Sequence, residues 1–168
     1  MVNSTMTFIF YPRSPLILAC PYFMPTHKSE DAAWLHPSRL PLGAGWSGHC
    51  CAPNHESTTP SDQSLRDHCN LGYAVACPHL PKERAADAVR FSVARDRGTQ
   101  LELWFIFERN HRPAGHGKLQ YDVAADRWLS LHPNPQIQKM AACYLESYLQ
   151  RRLALSAQPL SAYPSTLA

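Results

Sequence analysis

The hydrophobic pattern of the chain changes near residue 84. From Ala88 to Ala94 apolar and polar positions alternate, with Val89, Phe91 and Val93 on one face and Arg90 and Ser92 on the other. That is the period of a half-buried strand. Asp96-Arg97-Gly98-Thr99 supplies a turn. Leu101, Leu103, Phe105 and Phe107 then repeat at period two, while Trp104 and Ile106 make the opposite face apolar as well. The pattern predicts a hairpin whose second strand is central and covered on both sides. After a loop from Pro113 to Gly117, Leu119, Tyr121 and Val123 predict a third antiparallel strand, with Trp128 close behind.

The period then lengthens to that of a helix. Ile137, Met140, Ala141, Tyr144, Leu145 and Tyr148 share one face, with Lys139, Glu146 and Gln150 opposite. Asn134 is a good N-cap, and Pro135 stands at the first helical position, where a missing N–H costs nothing. Arg151 and Arg152 suit the negative C-terminal end.

Before residue 84 periodicity is poor. Residues 1–82 hold ten of the fifteen prolines, five of the six cysteines and six of the nine histidines. Pro41-Leu42-Gly43-Ala44-Gly45 and the stretch from Asn54 to Pro60 mark turns. A segment this long without regular structure stays ordered when something besides an apolar core organises it. A bound metal centre does so, because its binding free energy becomes folding free energy. The expected fold is therefore α+β. An irregular Cys/His/Pro-rich N-terminal lobe (1–82) packs on a small antiparallel sheet of about three strands with one long C-terminal helix (84–155). Together these form a single domain over 1–155, and 156–168 are read as a disordered tail.

Composition narrows the class. At 168 residues the chain is long enough to bury a core without staples, and 45% of it is apolar. The net charge of +3, without a Lys/Arg block, gives no sign of a nucleic-acid surface. No apolar run reaches the length of a membrane span. Phe8, Ile9 and Phe10 are separated from Leu16, Ile17 and Leu18 by Pro12, Arg13 and Pro15, so a secretory signal is not expected. These observations predict a cytoplasmic protein, where clustered thiols bind metal or catalyse rather than form disulfides.

Cys20, Cys50, Cys69 and Cys77 follow the spacing C-x29-C-x18-C-x7-C. Zinc sites favour close pairs two to four residues apart, and none exists here. Cys50 and Cys51 are adjacent and poorly placed to fill two vertices of one tetrahedron. Cys50 follows the Gly45-Trp46-Ser47-Gly48 turn and is the expected ligand, with Cys51 as its substitute. An iron–sulfur cubane takes one thiolate at each iron, so separate loops can supply them. The Cys20-Pro21 and Cys77-Pro78 steps recur in bacterial cluster-binding sequences. The expected cofactor is a [4Fe–4S] cluster on Cys20, Cys50, Cys69 and Cys77, with zinc on the same thiols as the alternative. Inert buried thiols are the structural alternative. Cys143, on the helix, reads as a packing thiol.

His49, His68 and His79 lie beside these cysteines in sequence, so a mixed Cys/His site is possible, though sequence neighbours usually point elsewhere. Glu108, His111, His116 and Asp122 could supply acid and base groups, but no nucleophile or oxyanion site accompanies them. Phosphate-loop, dinucleotide, HExxH and GxSxG motifs are absent from the sequence. The expected role is electron transfer or redox sensing with a redox or protein partner, rather than independent catalysis. The alternative is a structural zinc module mediating protein–protein interaction.

Overall fold

The structure, a computed structural model, describes residues 18–157. Its larger sheet is antiparallel, in the order β3 (Ala88–Asp96), β4 (Gln100–Arg109), β5 (Arg112–Asp122) and β6 (Arg127–Trp128). The alternation seen in sequence places Val89, Phe91, Leu101, Leu103, Leu119 and Tyr121 in the core. The β3–β4 turn passes through Gly98 at φ +79°, a conformation that costs glycine nothing.

Three sequence expectations about the β-structure are corrected here. The β-structure is not one sheet of about three strands. The larger sheet has four strands, and a second, two-stranded sheet pairs β1 (Phe23–Lys28) with β2 (Trp46–Cys50). β6 is only two residues long, and β1 carries Pro25 and a register shift between Pro25 and His27, so neither shows an alternating pattern. Pro113 to Gly117 is strand rather than loop. The chain reverses instead at Asn110 and His111, with φ of +50° and +59°, as a two-residue hairpin turn requires. Gly117 sits opposite Phe105, where an added Cβ would lie 2.4 Å from the ring, so glycine admits the aromatic across the ladder. Finally, β4 is central, yet Trp104 on its outer face is 46% exposed. That face is not covered.

Among the described residues the one long helix is α2 (Pro135–Ser156). Asn134 caps it, its side-chain oxygen accepting from the N–H groups of Gln136 (2.9 Å) and Ile137 (3.1 Å). Ile137, Met140, Ala141, Cys143 and Leu145 are buried, and Tyr144 and Tyr148 flank them. Tyr148 donates to Asp96 Oδ2 at 2.7 Å, tying the helix to the end of β3. Because α2 runs to Ser156, Arg151 and Arg152 fall short of its last turn. They bind Gly43 O and Asp96 instead. Ser156 is helical, and 158–168 of the expected tail lie outside the described residues, as do Phe8, Ile9 and Phe10.

The front half is more regular than its sequence suggests. Between β1 and β2 lie two 3₁₀ turns, Asp31–Ala33 and Pro37–Arg39. A short α1 (Asp62–Ser64), capped by Ser61, runs into a π-helical turn over Leu65–Cys69. Phe23, Leu42, Ala44 and Trp46 belong to the same core as Val89 and Met140. Ala19 bridges to Val89 through two backbone hydrogen bonds (2.7 and 2.9 Å), extending the edge of the larger sheet. No helix among the described residues is long and apolar enough to cross a membrane.

Candidate functional site

Four chain segments meet in front of the β3 edge, and each carries one cysteine. Cys20 follows the Ala19–Val89 bridge, Cys50 ends β2, Cys69 ends the π-turn and Cys77 lies in the loop after it. All four line one cavity of about 120 Å³, shared with Tyr22, Phe23, His68, Pro78 and His79. One water needs roughly 10–15 Å³ of such space, so the cavity is about tenfold larger than the minimum for a single water.

Local structure explains why these segments converge. The π-turn offsets the helical register, so that Asn70 N–H reaches Leu65 O at 3.2 Å. Asn70 is buried, and its side chain accepts from Trp46 N–H and donates to Trp46 O and Leu65 O, each at 3.0 Å. This amide locks the start of β2 onto the turn that presents Cys69. Gly72, at φ +62°, lies so close to Leu18 that an added Cβ would be 2.5 Å from its carbonyl oxygen. Glycine there lets the Cys69 loop lie against the strand leading to Cys20. Cys20 N–H in turn points to Cys69 O at 3.5 Å.

The thiols also interact electrostatically. Burial pushes Cys20 up to about 12; the N–H of Tyr22 opposes this, and Cys50 and Cys77 add to it. Burial likewise pushes Cys69 up to about 12, reinforced by Cys20, Cys77 and Cys50. Burial raises Cys50 as well, countered by the Ala52 N–H, which donates to its Sγ at 3.4 Å. Buried thiols that resist ionisation together become favourable thiolates when a cation shares their cavity. Backbone N–H groups aimed at sulfur are among the levers that set a cluster's potential.

The other sequence candidates are distributed differently. Cys51 does not line this cavity and instead lines a separate cleft with Pro21 and Tyr22. Cys143 is buried in the hydrophobic core. His68 and His79 reach the cysteine cavity, and the ring of His79 stacks on His55 at 3.9 Å. His49 pairs with Met24 in the small sheet and does not line the cavity. Glu108 is buried and accepts from Tyr73 O–H at 3.1 Å, with Arg90 Nε 3.2 Å away. The Tyr73 oxygen accepts from His111 N–H at 2.8 Å, and the two rings stack at 4.2 Å. Glu108 and His111 thus anchor the Cys69–Cys77 loop to the β4–β5 hairpin. His116, on β5, pairs with Ile106 of β4, and Asp122 accepts from Ala125 N–H.

Asn70 is a positioning residue that sequence reading missed, and the anchoring contacts of Tyr73 were not foreseen either. The only local signal was the turn-like Asn70-Leu71-Gly72-Tyr73 run, which does not reveal its distant partners. Among the described residues, no three His, Cys, Asp or Glu side chains form a group that could hold one metal ion. The four cysteines are related as lining residues of one cavity. No family model matches the chain, and no curated protein or solved structure does either.

Proposed function

We propose that this chain binds a [4Fe–4S] cluster through Cys20, Cys50, Cys69 and Cys77 and serves in electron transfer or redox sensing. The observation that carries this reading is the shared cavity. Four partly buried thiols from four separate segments line a space of about 120 Å³. A tetrahedral zinc ion draws its ligands onto one centre, within about 2.3 Å of each sulfur. A cluster instead occupies a volume and takes one thiolate at each iron. The residues present fit the cluster: soft thiolate donors, N–H groups directed at sulfur, and aromatic walls in Tyr22 and Phe23. Bound there, the cluster supplies one-electron chemistry. Ligation by all four thiolates leaves no iron position for substrate, so we assign the protein no catalysis of its own. Reduced thiols suit the cytoplasm, the compartment we propose.

Anaerobic purification followed by iron and acid-labile sulfide analysis tests the reading. The expected result is a brown protein with about four of each per chain. A colourless protein retaining stoichiometric zinc would instead establish the structural zinc module. A colourless, metal-free and stably folded protein would exclude both.

A further inference from the structure

Behind the Cys20 and Cys50 segments lies a second, larger cleft of about 430 Å³, between the front lobe and the sheet. Its size falls within the range of roughly 300–1,000 Å³ typical of small-molecule sites, which favour boundaries between structural units. Pro21 and Tyr22 directly follow Cys20, and Cys51 directly follows Cys50, so this wall is one residue away from two of the four thiols. Among the described residues, no Asp, Glu, Lys or Arg lines the cleft. A charged ligand would lose its hydration there without a partner.

The polar groups on the wall are neutral, and two of them, His132 and Asn134, offer hydrogens. Asn134 N–H donates to His132 Nδ1 at 3.0 Å, which leaves the proton of the neutral ring on Nε2. Burial lowers His132 from the ordinary imidazole value, against the Asn134 N–H bond, and so favours the neutral ring. Asn134 uses its oxygen to cap α2, leaving its amide N–H groups as donors. Phe107 adds an aromatic wall, its ring centroid 6.1 Å from that of His132. Across the ladder from Phe107, Gly115 leaves space, since among the described residues an added Cβ would meet only Phe107, at 3.8 Å.

We infer that this cleft binds an uncharged, flat ring bearing carbonyl oxygens, of the quinone class, with His132 Nε2–H as a donor to one oxygen. The apolar walls, the neutral donors and the absence of charge select the carbonyl-bearing ring. The choice of quinone among such rings rests on the cluster reading, because a quinone exchanges single electrons with a neighbouring one-electron centre.

The test is calorimetric titration of the full chain, purified anaerobically, with tetramethyl-1,4-benzoquinone, whose substituted ring offers Cys51 no free position for addition. Iron and sulfide are measured on the same sample. Saturable binding is expected, weakened at least about tenfold in Gly115→Leu, which fills the cleft, and about tenfold in His132→Phe, which removes one hydrogen bond. Iron content and far-UV circular dichroism should be unchanged in both variants. Absence of saturable binding to the unmodified protein would overturn the inference, as would equal affinity in Gly115→Leu. Binding to a protein without iron would uphold the cleft and refute the cluster.

Discussion

Between Ala88 and Ser156 a four-stranded sheet and a 22-residue helix bury regular apolar faces against each other. Between Leu18 and Lys82 the chain has one small sheet, short turns and a π-turn, pinned by individual contacts such as the Asn70 amide and the close approach of Gly72 to Leu18. The first region distributes its stability over many equivalent positions. The second concentrates it at a few positions grouped around the thiol cavity. A deep contribution from a bound centre to folding is therefore expected only in the front half, although both halves share Phe23, Trp46, Val89 and Met140 in one core.

The largest effect should come from removing a thiol. Cys69→Ser or Cys77→Ser is expected to abolish iron and sulfide content and to lower hydrogen-exchange protection across 18–82, while protection in β4 and α2 persists. Cys51→Ser should retain full iron, because that residue lines the other cleft. Cys143→Ser should also retain iron while losing about 1–3 kcal/mol of stability, since its hydroxyl would be buried in the core. If Cys69→Ser and Cys143→Ser lose iron equally, the contrast between the two regions is lost.

Next in size is Leu103→Ala. This fully buried β4 residue should cost about 2–5 kcal/mol in denaturant unfolding and destabilise both regions together through the shared core. Separate transitions for the two regions would contradict that coupling. A smaller loss, about 1–3 kcal/mol, is expected for Gly72→Ala, which forces a side chain to φ +62° against the Leu18 carbonyl. Its exchange protection should fall around Leu18–Cys20 and Cys69–Cys77 before it falls in the sheet.

A test of a different kind is pH. In the metal-free protein, burial raises Cys20, Cys69 and Cys143 from 9.0 to about 12. Between those values the folded state keeps protons that the unfolded chain has released, so stability should fall as pH rises from about 9 to about 12. The metal-loaded protein should show a shallower fall over the same range, because Cys20 and Cys69 are then already thiolates. A steeper fall in the loaded protein would contradict their assignment as ligands.

Legibility in the sequence follows the same divide. Val89, Phe91, Leu101 and Leu103 announce their strand faces locally, and Asn134-Pro135 announces the helix start, because each signal lies within a few residues. Trp104 misled, since an apolar residue within an alternating run cannot report whether another layer covers it. Gly115 and Gly117 suggested a loop because their partners, Phe107 and Phe105, are visible only across the ladder. β1 and β2 were invisible for a related reason. Their pairing spans the two 3₁₀ turns, and neither strand alternates.

Which residue types were available for chemistry was readable in the chain, as were the faces of the elements with short repeats. Hydrophobic period and capping chemistry act over one or two turns. Which thiols share a cavity, why Cys50 rather than Cys51 reaches it, and how Asn70, Gly72 and Tyr73 hold its walls were decided only by the tertiary structure. Those outcomes depend on backbone segments separated by tens of residues meeting at hydrogen-bond distance, and no local pattern encodes that encounter.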